Sequence, residues 1–345
     1  MVHPIPELSN VQVLLKSDPG DELVKESDMQ VVKTPFVVPE LKKGQVLLKN
    51  LFISLDPYMR GRMRTKQKNY FEPFAIGKVL QAGGIGEVIA SSRDGFVEGD
   101  KVLAFVGWES YTVVSEAVPI QKLNVPNGIP LSYYLGILGM PGMTAYHGLL
   151  NLGELKEHDT VFVSGAAGAV GLVVGQIAKI KGATVIGSAG SDDKVELLKT
   201  RFNFDHAFNY KKASTYKEVS KAAPSGINVY FDNVGGQTLD EVLPLMKVHS
   251  RIVACGMISG YNGESYGYKN LFHVITKQIR MEGFIISEQV NDPVFRKKFF
   301  EDMFGWIAQN KLQYNETVVE NLENAPEAFV GLFKGSNTGK LIIKI

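Results

Sequence analysis

The sequence predicts an α/β protein in which a doubly wound parallel sheet is joined to a second, β-rich domain. Three observations predict it. The chain has 345 residues, enough for two domains at about 150 residues each. Residues 1–130 read as short β segments bounded by Gly, Pro and Asp. From residue 131 onward, strand and helix patterns alternate, which is how parallel strands joined by crossover helices appear in a sequence.

The elements follow in chain order. Val11–Leu15, Gln45–Asn50, Gly86–Ala90, Lys101–Phe105 and Tyr111–Val114 are apolar or β-branched runs, spaced as in a small barrel or sandwich. Thr160–Ser164 reads as a buried strand, Val170–Lys181 as a helix, Thr184–Ser188 as the next strand and Lys194–Arg201 as the next helix. Val229–Asp232 and Ile252–Cys255 continue the strands. Phe299–Asn310 reads as a helix and Lys340–Ile345 as a final strand that needs a partner sheet.

Composition narrows the function. The formal net charge is +1, and Lys and Arg are interleaved with Asp and Glu, so no basic face for nucleic acid is expected. Cys255 is the one cysteine; it forms no intrachain disulfide and suits a reducing compartment. Met1–Ser9 lacks a basic region followed by an apolar run. No apolar stretch approaches the ~20 residues of a membrane helix. A cytoplasmic chain with no membrane partner is the expectation. One cysteine also cannot supply a four-cysteine structural zinc site, and the six histidines show no paired ligand spacing, so no metal is expected.

The strand at Thr160 runs into Ser164-Gly165-Ala166-Ala167-Gly168-Ala169-Val170-Gly171, which opens the next helix. Glycines at these spacings allow a tight turn, close backbone approach to a pyrophosphate and close helix–sheet packing. The helix start adds unpaired N–H groups and a positive dipole end. This is the fingerprint of a dinucleotide-binding (Rossmann) unit. Ala189-Gly190-Ser191 follows the next strand with no acid at the strand end, and Lys194 comes soon after. A small uncharged loop with a lysine accommodates a 2′-phosphate, so the expected cofactor is NADPH rather than NADH.

Several motifs occur in order: Asp56-Pro-Tyr-Met-Arg60, Leu135–Tyr146, Gly165–Gly171, Phe208-Asn-Tyr-Lys211, Phe231-Asp-Asn-Val-Gly-Gly236, Cys255-Gly-Met-Ile-Ser259 and Gly335–Lys340. With them the chain resembles the leukotriene B4 dehydrogenase/prostaglandin reductase family, a zinc-independent branch of the medium-chain dehydrogenases/reductases. Leu131-Ser-Tyr-Tyr134 and Gly107-Trp-Glu109 make it look most like the plant-type NADPH-dependent 2-alkenal (double-bond) reductases. The resemblance implies a GroES-like catalytic domain from residues 1–130 and 304–345, a Rossmann domain over 131–303, and a homodimer. It implies reduction of the C=C bond of an enal or enone. It also implies that Lys194 and Tyr210 hold the 2′-phosphate, with Ser191 and Gly190 nearby, and that Asn233 and Asn337 reach the cofactor from opposite domains. Met140 and Thr144 would approach the nicotinamide, flanked by Cys255, Gly256, Phe284, Ile285 and Ile286.

Hydride addition to a β-carbon drives charge onto the substrate carbonyl oxygen, which a neutral hydrogen-bond donor stabilises. A tyrosine hydroxyl is such a donor at neutral pH. Tyr261 follows the Cys255–Gly260 segment at the carboxyl edge of the sheet, and Tyr58 lies in the Asp-Pro-Tyr turn; both are candidates, and solvent water remains a third source of the proton. Ser259–Tyr268, with three glycines and three tyrosines, reads as a mobile lid with aromatic faces toward the substrate. Two other activities share this pattern: a zeta-crystallin-like NADPH quinone oxidoreductase, and NADP-dependent oxidation of a lipid allylic alcohol.

Overall fold

The computed structural model describes residues 8–67 and 70–345. The chain divides into two compact units: the part through Leu135 with Thr317–Ser336 and Leu341–Ile345, and Gly136–Glu316 with Asn337–Lys340.

In the first unit, β1 (Ser9–Leu15) pairs antiparallel with β2 (Met29–Pro35). β3 (Val46–Ser54), the one-turn helix α1 (Met59–Arg62), β4 (Gln81–Ser91), β5 (Lys101–Gly107), β6 (Tyr111–Val114) and β7 (Ile120–Lys122) follow. β4 runs antiparallel to β3 and β5, and β6 pairs antiparallel with the first half of β3, Val46 to Lys49. β4 begins well before the expected Gly86 because its early glycines belong to the strand. A Cβ on Gly84 would fall 2.3 Å from Val106 Cγ2, so glycine here marks close strand packing where sequence suggests a turn. Val13, Leu48, Ile53, Val88, Val106 and Trp108 close the core with at most 1% exposure.

The second unit opens with α2 (Met140–Tyr146), which runs directly into a π-helical turn at His147–Leu152. β8 (Thr160–Val163), α3 (Ala169–Ile180), β9 (Thr184–Ala189), α4 (Asp192–Thr200), β10 (His206–Asn209) and α5 (Thr215–Ala222) follow. Then come β11 (Ile227–Asp232), α6 (Gly236–Val242), β12 (Met246–Ala254), α7 (Phe272–Thr276), β13 (Arg280–Gly283) and α8 (Pro293–Ala308). The six strands are parallel in the order β10-β9-β8-β11-β12-β13. The order reverses between β8 and β11, which makes that point the crevice of a doubly wound sheet. Phe162, Ile186, Tyr230 and Ile252, one from each central strand, are buried in a single cluster. Such near-continuous apolar strands are what a sheet covered on both faces requires. None of the helices in the described residues is long and apolar enough to cross a membrane.

The tail supplies β14 (Glu316–Glu320), α9 (Ala325–Lys334) and β15 (Lys340–Lys344). The partner sheet of the last strand is that of the first unit, where Ile342 sits opposite Ser54 of β3. α9 ends on Gly335 in the left-handed region, a common helix stop. The crossing expected after residue 303 falls inside α8. That helix begins at Pro293, where Asp292 Oδ1 accepts from the Val294 N–H at 2.8 Å. Asn291-Asp292-Pro293 carries the signal for this cap in the sequence, six residues before the expected helix start at Phe299.

Candidate functional site

Four parallel strands end at one edge of the second unit. Val163 of β8 is level with Gly187 of β9 and Phe231 of β11, and Asp232 is level with Ala254 of β12. The chain leaving β8 is the glycine loop. Gly165 has φ 60°, a conformation that favours glycine. A Cβ on Gly171 would lie 2.5 Å from the Gly165 carbonyl oxygen and 2.7 Å from Ala166 Cα, so α3 packs directly on the loop backbone. Gly168 caps α3 without a side chain, which leaves the first-turn N–H groups of Ala169, Val170 and Gly171 to an acceptor outside the helix. This cradle fits a pyrophosphate.

Residues 337–340 lie along the same loop. Gly168 bridges Gly339 in parallel register, and the Gly339 N–H donates to the Ala167 carbonyl at 2.8 Å. Asn337 Nδ2 donates to the Gly339 carbonyl at 2.8 Å. Asn233 and Asn337 were expected on opposite domains, but Asn337–Lys340 groups with the α/β unit, so the same unit carries both. The backbone pairing with the glycine loop is the physical reason.

The carboxyl end of β11 is held by a polar cluster that the sequence reading missed. Asp232 is fully buried. Its Oδ1 accepts from Tyr230 Oη at 2.6 Å, Gly235 N at 2.8 Å, Val234 N at 2.9 Å and Ser164 Oγ at 3.0 Å. Ser164 Oγ in turn accepts from the Asn233 N–H, and Asn233 Nδ2 donates to the Ser164 carbonyl at 2.8 Å. Burial raises the Asp232 carboxyl above the usual range, opposed by these hydrogen bonds. The amide group of Asn233 is engaged, and its carbonyl oxygen is the part left for a ligand hydroxyl.

At the end of β9, Ser191 caps α4 by accepting from the Lys194 N–H. The nearest acid, Asp192, accepts from Asn209 Nδ2 at 2.8 Å and pairs with Lys212. Tyr210 Oη lies 3.2 Å from where a Gly190 Cβ would stand. Burial lowers the Lys194 pKa, and the charge of Lys211 lowers it further. Gly190, Ser191, Lys194 and Tyr210 are thus brought together.

At the opposite side of the switch point, the N–H groups of Cys255 and Gly256 both donate to the Asp232 carbonyl, at 2.9 and 3.0 Å. Cys255 stands one residue beyond β12. Burial, aided by the Asp232 charge, pushes its thiol up to about 12. The Tyr261 hydroxyl lies 3.3 Å from the Cβ position of Gly256. Burial raises its pKa while a backbone hydrogen bond from Met257 opposes the rise. The other tyrosines of this segment do not behave as lid aromatics. Tyr266 Oη donates to Asp240 Oδ2 at 3.2 Å, and Tyr268 Oη accepts from the Gly236 N–H at 3.2 Å. Asp240 also takes the N–H groups of Lys269 and Asn270. The tyrosines at 266 and 268 are tied to α6, which corrects the lid expectation for them.

Met140 and Thr144 share the first turns of α2. Thr144 Oγ1 donates back to the Met140 carbonyl at 2.7 Å, and the Met140 side chain is partly exposed. Phe284, Ile285 and Ile286 follow β13. The Phe284 ring lies 5.6 Å from that of His147, and His147, Phe284 and Ile285 help line a shallow cavity of about 530 Å³.

The first unit holds Tyr58 at the entry to α1. Its ring sits 4.9 Å from Phe71, and burial, with Asp56 adding, raises its pKa. Arg62, four residues on, is buried with its guanidinium 4.0 Å above the Phe74 ring, a contact that the sequence reading did not anticipate. Among the described residues no group of three or more His, Cys, Asp or Glu could hold a metal ion.

Comparison with known proteins places these features in a family. Residues 11–123 match the family described as the N-terminal domain of oxidoreductase, and residues 169–308 match the one described as zinc-binding dehydrogenase. The chain is 46% identical over 343 residues to a 2-alkenal reductase (NADP(+)-dependent) of Nicotiana tabacum, covering 98% of each. It is 40% identical to the (+)-pulegone reductase of Mentha piperita, covering 97% of this chain and 98% of that one. Among solved structures, CurA in complex with NADPH from Vibrio vulnificus superposes with a TM-score of 0.88 at 40% identity, over 97% of this chain and 98% of that chain. The chain therefore belongs to the zinc-independent medium-chain dehydrogenase/reductase family of oxidoreductases.

Proposed function

We propose that this oxidoreductase uses NADPH to reduce the carbon–carbon double bond of α,β-unsaturated aldehydes and ketones. The observation that carries the reading is the Tyr261 hydroxyl over Gly256, on the same sheet edge as a glycine cradle and a strand, β9, that ends without an acid and leads to Lys194 in the first turn of α4. The names of the tobacco and mint relatives support it. Bound NADPH supplies a hydride to the substrate β-carbon.

The chain's own residues do the rest. The loop from Gly165 to Gly171 seats the pyrophosphate on backbone N–H groups. Lys194 and Tyr210 hold the 2′-phosphate by charge-assisted hydrogen bonds, next to Ser191, which caps the helix that carries Lys194. Asn233 offers its carbonyl oxygen to a ribose hydroxyl, while Asn337, Met140, Thr144, Cys255, Gly256, Phe284, Ile285 and Ile286 shape the rest of the cofactor site. Tyr261 donates a hydrogen bond to the carbonyl oxygen as charge develops there, and the α-carbon then takes up one proton, from Tyr261 or from water. Its raised pKa keeps Tyr261 a donor at neutral pH. Tyr58 is the second donor candidate. The reading includes a cytoplasmic homodimer. β13 supports the dimer: it is the last strand of its sheet and its four residues are all exposed, an arrangement that proteins normally cover.

The test is NADPH oxidation with a short enal, a phenylpropenal and a quinone, with the products identified by mass and proton NMR. A saturated aldehyde or ketone is the expected product. An allylic alcohol, or turnover of the quinone alone, would refute the reading.

A further inference from the structure

We propose that Lys211 is a second cation of the 2′-phosphate seat and a determinant of preference for NADPH over NADH. The inference rests on the NADPH reading above, to which it adds a residue. β10 lies beside β9 with Asn209 level with Ala189. The chain leaving β10 therefore arrives beside Gly190, and the Tyr210 N–H fixes it there by donating to the Ala189 carbonyl at 3.1 Å. Asn209 holds the turn from both sides: its Oδ1 accepts from the Lys211 N–H at 3.1 Å while its Nδ2 donates to Asp192.

The consequence is steric first. A Cβ on Gly190 would stand 3.2 Å from Tyr210 Oη and 3.4 Å from Lys211 Cε, so both side chains fold over one bare stretch of backbone. The charges then decide what the place is for. Asp192, the nearest acid, is already paired with Lys212 and Asn209. No ion pair engages the Lys211 ammonium among the described residues, and Lys211 lies close enough to Lys194 to depress its pKa. Two cations brought together beside a helix start repel each other, and a phosphate dianion between them reverses the sign of that interaction. Lys212, the neighbour in sequence, is spent on Asp192, so the two adjacent lysines have different jobs.

The experiment measures binding of NADPH, NADH, 2′,5′-ADP and 5′-AMP to wild type, Lys211→Gln and Lys211→Arg by calorimetry, with melting curves of each apo protein. In Lys211→Gln, affinity for NADPH and 2′,5′-ADP should fall on the order of tenfold, the effect of one charge-assisted hydrogen bond at a partly exposed site. NADH and 5′-AMP should bind as before, and Lys211→Arg should retain most of the NADPH affinity. The apo melting temperature should hold or rise, because a repulsion is removed. Unchanged NADPH affinity in Lys211→Gln, or an equal loss for NADH, overturns the role of Lys211. A wild type that binds NADH as tightly as NADPH overturns the cofactor reading instead.

Discussion

A methyl group at Gly171 tests the pyrophosphate cradle most directly. Its carbon would lie 2.5 Å from the Gly165 oxygen, 2.7 Å from Ala166 Cα and 3.0 Å from Ala166 C. All three are backbone atoms, so no side chain can swing aside. To restore ordinary contact, α3 must withdraw from the loop by about 1 Å, and overpacking of this kind costs about 1–3 kcal/mol. Alanine also favours a helix interior over glycine by up to about 1 kcal/mol, so the net loss should be on the order of 1–2 kcal/mol, or a fall in Tm of about 2–8 °C for a unit of this size. Gly305, in α8, isolates the propensity effect because nothing lies within 4 Å of its Cβ position. Gly305→Ala should therefore raise Tm slightly while Gly171→Ala lowers it. Withdrawing the first turn of α3 also pulls its N–H groups from the phosphates, so NADPH affinity should drop on the order of tenfold in Gly171→Ala. Differential scanning fluorimetry and a fluorescence titration with NADPH read both effects. A Gly171→Ala protein that melts at or above wild type and binds NADPH equally well would refute the close packing and the cradle together.

Other changes probe the rest of the edge. Tyr261→Phe should lower kcat on an enal by about 10²-fold at pH 7 with little change in KM for NADPH, and because the pKa of Tyr261 is raised the deficit should persist through mildly alkaline pH; equal kcat for the two proteins would remove Tyr261 from the chemistry. The Cys255 thiol, raised from 9.0 to about 12, stays protonated while an unfolded thiol ionises, so its contribution to stability is complete below pH 9 and is lost as pH rises toward 12. Iodoacetamide should accordingly label Cys255 at pH 8 far more slowly than a free thiol, and labelling at the free-thiol rate, read by mass spectrometry, contradicts the raised pKa. Asp232→Ala removes the acceptor of four hydrogen bonds and should cost on the order of 3 kcal/mol in urea unfolding; a loss below about 1 kcal/mol would mean that the cluster does not hold the edge.

The parts most legible in the sequence were those where one physical requirement dominates. The β8, β9 and β11 strands and the Ile252–Val253 end of β12 are buried and read as apolar runs, and the glycine loop reads through the side chains it lacks. The edge strands were not legible. β10 is His-Ala-Phe-Asn and β13 is Arg-Met-Glu-Gly, and at a sheet edge polar residues remove the periodicity that marks a strand. The Ser164–Tyr230–Asp232 cluster was hidden for another reason. Asp-Asn before Val-Gly-Gly reads as turn chemistry, and only the pairing of β11 with β8, which are distant in sequence, brings Ser164 under the carboxylate. Tyr266 and Tyr268 misled because composition alone does not say where a ring points; Asp240 and the Gly236 N–H hold them. Lys211 and Lys212 are alike in sequence, and only the pairing of Lys212 with Asp192 separates them.

Asp232 also explains how the backbone of the candidate site is held. At the switch point of a doubly wound sheet the connections leave in opposite directions, so the strand ends there lose the neighbours that would satisfy their N–H groups. β11 ends at this point, and the N–H groups of Asn233, Val234 and Gly235 turn away from any ladder. Buried donors need acceptors. Asp232 Oδ1 serves two of these N–H groups and Ser164 Oγ the third, while the Asp232 carbonyl serves Cys255 and Gly256. One residue thereby fixes the chain leaving β11 and the chain leaving β12, and through Ser164 it also fixes the start of the glycine loop. A ligand arriving at this edge has little backbone left to order, and an edge already ordered holds more of its contact energy as affinity. The buried carboxylate costs stability in isolation, and what it secures is the geometry shared by three loops at the candidate cofactor site.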